Sequence, residues 1–564
     1  MSFTNMTEQV EPSPKTEDLV RAVSNNHQTP MAPLDLVEEQ RPRAKLRIWA
    51  ILIALYLALF VAALDQTIIA TSIPTISAQL HSAAGYFWIG GAYLLANAAA
   101  APIWAKCSDI WGRKPALLSA VALFAIASII AATSVSMTML IAARALQGTA
   151  GGGLLQLVTI TISDLFSMRR RTLYLGLLEV MWAVAGGAGP LIGGAFTQLV
   201  SWRWCFWINL PVSGVTFLLL FLFLDVHNPR TRLREGLAAI DWLGTLSVLA
   251  VTLMLLLGLD FGGTVFPWSS AKVICLIVFG TLMIGFFIFS EKRLAKYPLM
   301  PLDMFKDVSN IALFLVGFSQ GMVFIAAEYY LPLYLQSVKQ ASPLRSGVLI
   351  LPITVSEAVI GIVCGVLMHQ TGRYKEIICV GAALTALGTG LYISFDRSTP
   401  IARLVGFEII GGSGCGMLFE APIIALQSAV TQADTATATA TYGFLRNIAT
   451  SMSIVIGGVI FQNGMDMRAS ALKNAGLASD LVEAFSGGEA AASVELVGTI
   501  ENAARRRAAE DAFAWSLRNM WIFFTAIAGI GVLAAFFVRQ KDLSKEHTET
   551  KTGIEQMTRR EAPS

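Results

Sequence analysis

Asp65, Arg144, Glu179, Glu328, Glu357, Glu408, Glu420 and Arg446 each stand in or beside an otherwise apolar stretch of the chain. A charge in such a stretch costs several kcal/mol unless it is paired or faces water, so each is a functional candidate. A carboxyl held out of water is either protonated or ion-paired, and moving between those two states is how a protein can use a proton gradient. On this ground Asp65 and Glu357, and after them Glu179, are expected to carry proton coupling or contacts to a cationic substrate. A purely structural pairing is the alternative for each of them, as it is for Arg144.

Other chemistries find no constellation. His27, His81, His227, His369 and His547 lie apart from one another and from the acids, so neither a catalytic triad nor a metal centre assembles. The six cysteines (Cys107, Cys205, Cys275, Cys364, Cys379, Cys415) stand singly, without a CxxC pair. A GxxxxGK[ST] loop that could cradle ATP is absent from the sequence. An enzyme is therefore not expected, and neither is a cofactor or a metal.

The elements that must position these residues follow from composition. Of 564 residues, 55% are hydrophobic and only 14% charged, against about 25% charged in average soluble domains. The fold class is thus all-α and integral to a membrane. The net charge is only +3 and the basic residues sit in short loops, so no basic face awaits nucleic acid. The ends of the chain read as solvated tails. Glu8, Glu11 and Asp18 leave no room for a secretory signal, so the first span is expected to direct insertion. The Asn5-Met6-Thr7 sequon falls in a tail expected to be cytosolic.

A bilayer core about 30 Å thick takes about 20 apolar residues as a helix, because lipid leaves no backbone group a partner outside the helix. Such runs lie at 48–70, 86–104, 116–132, 137–160, 174–199, 206–224, 240–259, 273–289, 311–331, 347–368, 377–393, 404–425, 442–461 and 520–538, fourteen in all. Lys and Arg gather in alternate loops, at Lys106, Arg113 and Lys114, at Arg169 to Arg171, at Arg230 to Arg234, at Lys292 to Lys296, and at Arg373 and Lys375. The positive-inside rule places these loops and both termini in the cytosol.

Helical rise ranks the candidates by depth. Glu357 falls about 18 Å into its run, nearest the midplane. Glu179 lies roughly 10 Å above the cytosolic end and Arg144 roughly 10 Å below the outer boundary, a difference in depth on which no direct pair is claimed. Asp65, Glu328 and Glu408 lie nearer the outer face, Glu420 nearer the inner, and Arg446 near the start of run thirteen.

A faint duplication divides the chain. Gly112-Arg113 after the second run recurs as Gly372-Arg373 after the tenth, in the same kind of loop, with His369 where the first copy has Asp109. His369 is read as drift of the second copy, with a cytosolic pH sensor as the alternative. Two sets of six spans with two inserted between them follow: a tail at 1–47, a bundle at 48–226, a linker with two extra spans at 227–308, a bundle at 309–538 holding a long external loop at 463–514, and a tail at 539–564.

Three stretches carry a family resemblance. Ala105-Lys106-Cys107-Ser108-Asp109-Ile110-Trp111-Gly112-Arg113-Lys114 is a turn in which Asp109 and Arg113, four apart, can pair while Arg113 and Lys114 reach the lipid headgroups. Leu140 to Gly152 holds Arg144, Gln147 and Gly148, and Gly186 to Gly194 holds Gly189, Pro190, Gly193 and Gly194. Leu64-Asp65-Gln66-Thr67 and Trp202 to Pro211 add to these, the tryptophans reading mostly as an interfacial belt. With these motifs the chain resembles the major facilitator superfamily, specifically its fourteen-span drug:proton antiporter branch of fungal toxin and multidrug exporters.

The resemblance implies two six-helix bundles plus two inserted helices that alternate access to a central cavity. It assigns Asp109, Gly112, Arg113 and Lys114 to a cytoplasmic gating motif, and Gly189, Pro190, Gly193 and Gly194 to a helix-packing antiporter motif. It implies a monomer in the lipid bilayer that exchanges a small organic molecule for protons at the plasma membrane. A vacuolar membrane, a siderophore:proton symporter, a vacuolar basic amino-acid transporter and a non-transporting nutrient receptor are the alternatives.

Overall fold

The computed structural model describes residues 45–69, 72–80, 85–227, 229, 231–262, 266–300, 302–487, 490–491, 493–546 and 552–553. Asn5, His27, His81, His547 and most of both tails lie outside the described residues. The elements are helices: α1 (Lys45–Ile68), α2 (Gly85–Trp111), α3 (Arg113–Ala132), α4 (Met137–Leu165), α5 (Met168–Gly176), α6 (Leu178–Leu199), α7 (Asn209–Phe223), α8 (Trp242–Phe261), α9 (Ala271–Arg293), α10 (Val308–Ser337), α11 (Pro343–Thr371), α12 (Lys375–Tyr392), α13 (Ile401–Ala429), α14 (Thr435–Asn474) and α15 (Ala503–Phe536). Helices α2 to α4 and α7 pack among themselves, α10 to α15 among themselves, and α8 against α9. The first group, taken with α1, α5 and α6 from the same stretch of chain, and the second group are called the first and second bundle.

Eleven helices among the described residues are long and apolar enough to cross a membrane. Helices α2, α4 and α12 also stand where the sequence predicts spans but fall short of that measure. Asn97 in α2, and Arg144, Gln147 and the glycines in α4, lower their hydropathy, and the glycines let these two helices touch each other. A Cβ at Gly148 would sit 2.1 Å from the Tyr93 carbonyl oxygen, and one at Gly152 2.5 Å from that of Asn97. Between membrane helices the association comes from close packing, so small residues replace greasy ones along the seam.

Two expectations are corrected. The segment 463–514 is not one long loop, since α14 runs on to Asn474 and α15 begins at Ala503. The connection between them folds back on the second bundle, where Val482, Phe485, Val494, Val497 and Ile500 bury against Met465, Leu472, Ala509 and Phe513. Polar helix ends outside the lipid-like stretch escape a hydropathy reading. The thirteenth span, likewise, begins at Thr435, not near residue 442. Its Thr-Ala repeat looks polar, yet Thr439 and Thr441 donate to the carbonyls of Thr435 and Thr437 at 2.7 and 2.8 Å. Hydroxyls spent on the preceding turn are compatible with a buried helix. Arg446 therefore stands about 16 Å inside α14 instead of near its start.

The seam between α2 and α4 makes a sharp prediction. Gly148→Val meets backbone that cannot yield and costs about 1–3 kcal/mol or more. Gly194→Ala, with nothing within 4 Å of the new carbon, is neutral or slightly stabilising. Melting of the two purified variants in detergent separates them.

Candidate functional site

Asp65, near the end of α1, is fully buried, and so are Arg144 and Gln147 of α4, Ser128 of α3 and Asn209 of α7. Arg144 donates from Nη1 to Asp65 Oδ2 and to Gln147 Oε1 (2.9 Å), and from Nε to the Ile89 carbonyl at 3.0 Å. The other oxygen of Asp65 accepts from Asn209 Nδ2 at 2.8 Å and Gln147 Nε2 at 3.2 Å. Both amide groups also reach Ser128 Oγ, at 3.3 and 2.9 Å. The guanidinium lies 4.5 Å from the centre of the Tyr93 ring, so its face is covered as well. One ion pair thus ties five helices, α1, α2, α3, α4 and α7. The sequence put Asp65 and Arg144 toward the same face and went no further; opposite charges at similar depth were the signal for pairing them.

At the basic end Asp109 and Arg113 meet, with Nη1 to Oδ1 at 2.7 Å. Arg113 Nε also reaches Asp164 Oδ2 of α4 at 2.7 Å, a partner not foreseen. Arg113 is only 2% exposed, which corrects the expectation that it anchors in headgroups. Two carboxylates hold it inward. Gly112, at φ 97°, makes the turn that a side chain would strain. Lys114 behaves differently, donating to the Phe221 carbonyl at 2.7 Å on the surface.

A second set of charges gathers on helices of both bundles. Glu179 of α6 lies over Gly361 of α11, where a Cβ would come within 2.9 Å of its Cγ. It feels Glu420 of α13 and Arg446 of α14. Glu357 of α11 feels Glu328 of α10, Glu179 and the same arginine. Arg446 lies 4.2 Å from the centre of the Phe419 ring and against Gly321. Glu179, Glu357 and Glu420 thus lie in the field of one guanidinium, with Glu328 beside Glu357. Glu357 Oε1, Glu420 Oε2 and the Tyr442 hydroxyl have no hydrogen-bond partner among the described residues. The expectation that Glu179 and Arg144 do not pair agrees with this placement. Arg446 was missed as the centre because its helix was started too late.

The bundles are joined at the basic end. Arg171 of α5 donates to Gln427 Oε1 (3.0 Å) and to Gln432 Oε1 (3.2 Å), and Gln427 Nε2 reaches Ser163 of α4 at 3.0 Å. Arg169 caps the end of α11 at the His369 carbonyl (2.6 Å) and the Gln370 carbonyl, and His369 Nδ1 donates back to the Arg169 carbonyl at 2.8 Å. The segment after α15 crosses the same seam. Gln540 Oε1 accepts the N–H groups of Tyr374 and Lys375 at 3.2 and 3.0 Å, while the Ser544 carbonyl accepts the N–H of Arg169 at 3.2 Å.

Of the glycine motif in α6, Gly189 makes the close contact. A Cβ there would fall 2.1 Å from Thr67 Oγ1, which donates to the Ala185 carbonyl at 2.8 Å. Gly193 is buried, Pro190 lies within the helix, and Gly194 has open space beside it. Trp202 departs from the interfacial belt, being 1% exposed with Nε1 on Gln79 Oε1 at 2.8 Å, whereas Trp204 is 49% exposed.

The buried ion pair predicts asymmetric mutational costs. Arg144→Gln leaves Asp65 uncompensated and destabilises the protein by about 3–5 kcal/mol, whereas Asp65→Asn with Arg144→Gln recovers much of that loss. Thermal unfolding of the two variants beside the native protein measures it.

The sequence profile of the Major Facilitator Superfamily matches residues 55–454. The chain is 46% identical over 505 residues to "Efflux pump dotC" of Dothistroma septosporum, spanning 90% of this chain and 86% of that protein. It is 43% identical to "MFS-type transporter ppz2" of Metarhizium majus, over 93% and 90% of the two chains. Among solved structures, the human organic anion transporter MFSD10 superposes with a TM-score of 0.55 at 17% identity, over 88% of this chain and 100% of that one. The proton:xylose symporter XylE gives 0.55 at 15% identity, over 91% and 99%. The fold is shared with both, and by profile and by relatives along nearly its whole length the chain belongs to the major facilitator superfamily of membrane transporters.

Proposed function

We propose that this protein is a proton-coupled exporter that moves small organic molecules of the secondary-metabolite or drug type out of the cytosol by alternating access. The observation that carries the reading is the gathering of Glu179, Glu357 and Glu420, from both bundles, in the field of Arg446, with Glu328 beside Glu357. Four carboxyls in one cluster with a single guanidinium cannot all stay ionised away from water. Protons and a cationic or polar cargo are the two ways of balancing them, and exchange of one for the other is antiport. Relatives named efflux pumps, at 46% and 32% identity, support the outward direction.

The working architecture is fourteen spans, six in each bundle with α8 and α9 inserted, both termini cytosolic, in the plasma membrane as a monomer. Here the basic end faces the cytosol and is closed by Arg169, Arg171, Gln427 and His369, so the central site is served from the far end. Protonation of Glu179 weakens its hold on Arg446 and loosens the contact of α6 with α11 at Gly361. The bundles then part at the basic end, where release of the proton to the cytosol admits cargo. Asp65 and Arg144 remain paired while this happens or exchange their proton through the same cycle. The Asp109–Arg113–Asp164 set keeps α2, α3 and α4 moving as one body.

In vesicles with an imposed proton gradient, Glu357→Gln, Glu179→Gln and Asp65→Asn are each expected to lower driven transport by about tenfold or more, with Glu357→Gln the most severe. Metabolite profiling of cells and medium with and without the protein names the cargo, which accumulates inside cells that lack it. Unaltered proton-driven transport in all three variants sinks the coupling assignment.

A further inference from the structure

Glu408 of α13 is 0% exposed, and neither of its carboxyl oxygens has a hydrogen-bond partner among the described residues. The Tyr392 hydroxyl of α12 is likewise buried without a partner, and so is Glu357 Oε1 of α11. Buried polar atoms are almost always satisfied, so three orphans on neighbouring helices call for a common explanation. None of them belongs to the Asp65–Arg144 set.

Their heights along α13 place them in a column. Glu408 lies seven residues from Ile401, about 10 Å from the end of α13 that is opposite the basic end. One turn deeper, a Cβ at Gly411 would lie 2.6 Å from the Tyr392 hydroxyl. At the next position a Cβ on Gly412 would lie 2.3 Å from Ser356 Oγ, and two turns below Glu408 one on Gly416 would lie 2.4 Å from the Glu357 carbonyl oxygen. Glycines at 411, 412 and 416 thus keep the face of α13 low where Tyr392 and the Ser356–Glu357 turn stand against it. Tyr392 lies in the field of both Glu408 and Glu357. The other titratable or charged groups bearing on the column are Cys415 on α13, Glu328 on α10, Glu179 on α6 and Arg446 on α14.

We propose that Glu408, Tyr392 and Glu357 form a proton-carrying column inside the second bundle, leading from the far end to the central carboxyls. Glu408 takes a proton from the far side; its O–H then passes a proton to the Tyr392 oxygen as the phenol O–H passes one to the Glu357 carboxylate. Each transfer breaks one O–H bond and forms one through a bridging water, and the imposed gradient supplies the proton. A carboxyl with no ion-pair partner suits this task because it can lose and regain its proton without pulling a salt bridge apart. The inference rests on the proton-coupled reading for its purpose, although the column itself can be tested without any cargo.

Infrared difference spectra of the purified full-length protein in lipid nanodiscs, recorded through a pH titration and after rapid pH jumps, provide that test. The column requires two titrating carbonyl-stretch bands, of which Glu408→Gln removes one and Glu357→Gln the other. Each substitution should move the midpoint of the surviving band by about one pH unit, the sign of coupled sites. Tyr392→Phe, which keeps both bands and the packing of the ring, should slow the response of the Glu357 band by about tenfold or more. A Glu408 band that never titrates overturns the column, and so does a Glu357 band whose rate is the same in Tyr392→Phe. A titrating column in a protein whose vesicles show no proton-driven export overturns the exporter reading and leaves the column standing.

Discussion

An arginine placed among apolar helices must be neutralised and must have its five N–H groups used, or the helix that carries it will not stay in the bundle. Arg144 is neutralised by Asp65 and gives further N–H groups to Gln147 and the Ile89 carbonyl, and its planar face lies on Tyr93. Satisfying Asp65 in turn recruits Asn209, and satisfying the amides recruits Ser128. The chain of obligations runs through five helices, with Asn209 Oδ1 its one oxygen left without a partner among the described residues. Their relative heights cannot slip by a turn without stranding a charge, so the first bundle has one register.

The second bundle is organised on the opposite plan. Its carboxyls are more numerous than its buried bases, and several of their oxygens have no hydrogen-bond partner among the described residues. A densely ion-paired network resists change, whereas one short of bases responds to protons and to whatever enters. Rigidity is thus concentrated in one bundle and chemical responsiveness in the other, with Glu179 the acid that the first contributes to the second's cluster. The glycine seams serve both plans. They allow α2 to lie on α4, and α13 on α11 and α12, at distances where backbone meets side chain directly.

Much of this was legible in the sequence for a physical reason. Lipid forces each crossing segment to satisfy its own backbone, so a span has to be both long and apolar, and most of the runs read that way became helices within a few residues. The motif turns also kept their meaning, because Gly112 must adopt positive φ whatever surrounds it. What escaped was lateral information. Depth along a helix can be counted from residues, but the direction a side chain points around it cannot, so Asp65 was not joined to Arg144 nor Asp164 to Arg113. Composition misled in the Thr-Ala start of α14, where hydroxyls that look polar are spent on their own helix. It misled again beyond residue 474, where a segment short of greasy residues buries those it has.

The segment after α15 adds a matter of timing. Gln540 and Ser544 leave the ribosome after α15, yet the Ser544 carbonyl accepts an N–H from Arg169, which was made long before. Throughout synthesis and insertion the two bundles are without this tie. Arg171 and Gln427 can already join the bundles before that, so this tie is an addition to the seam that has to wait until α15 has been made.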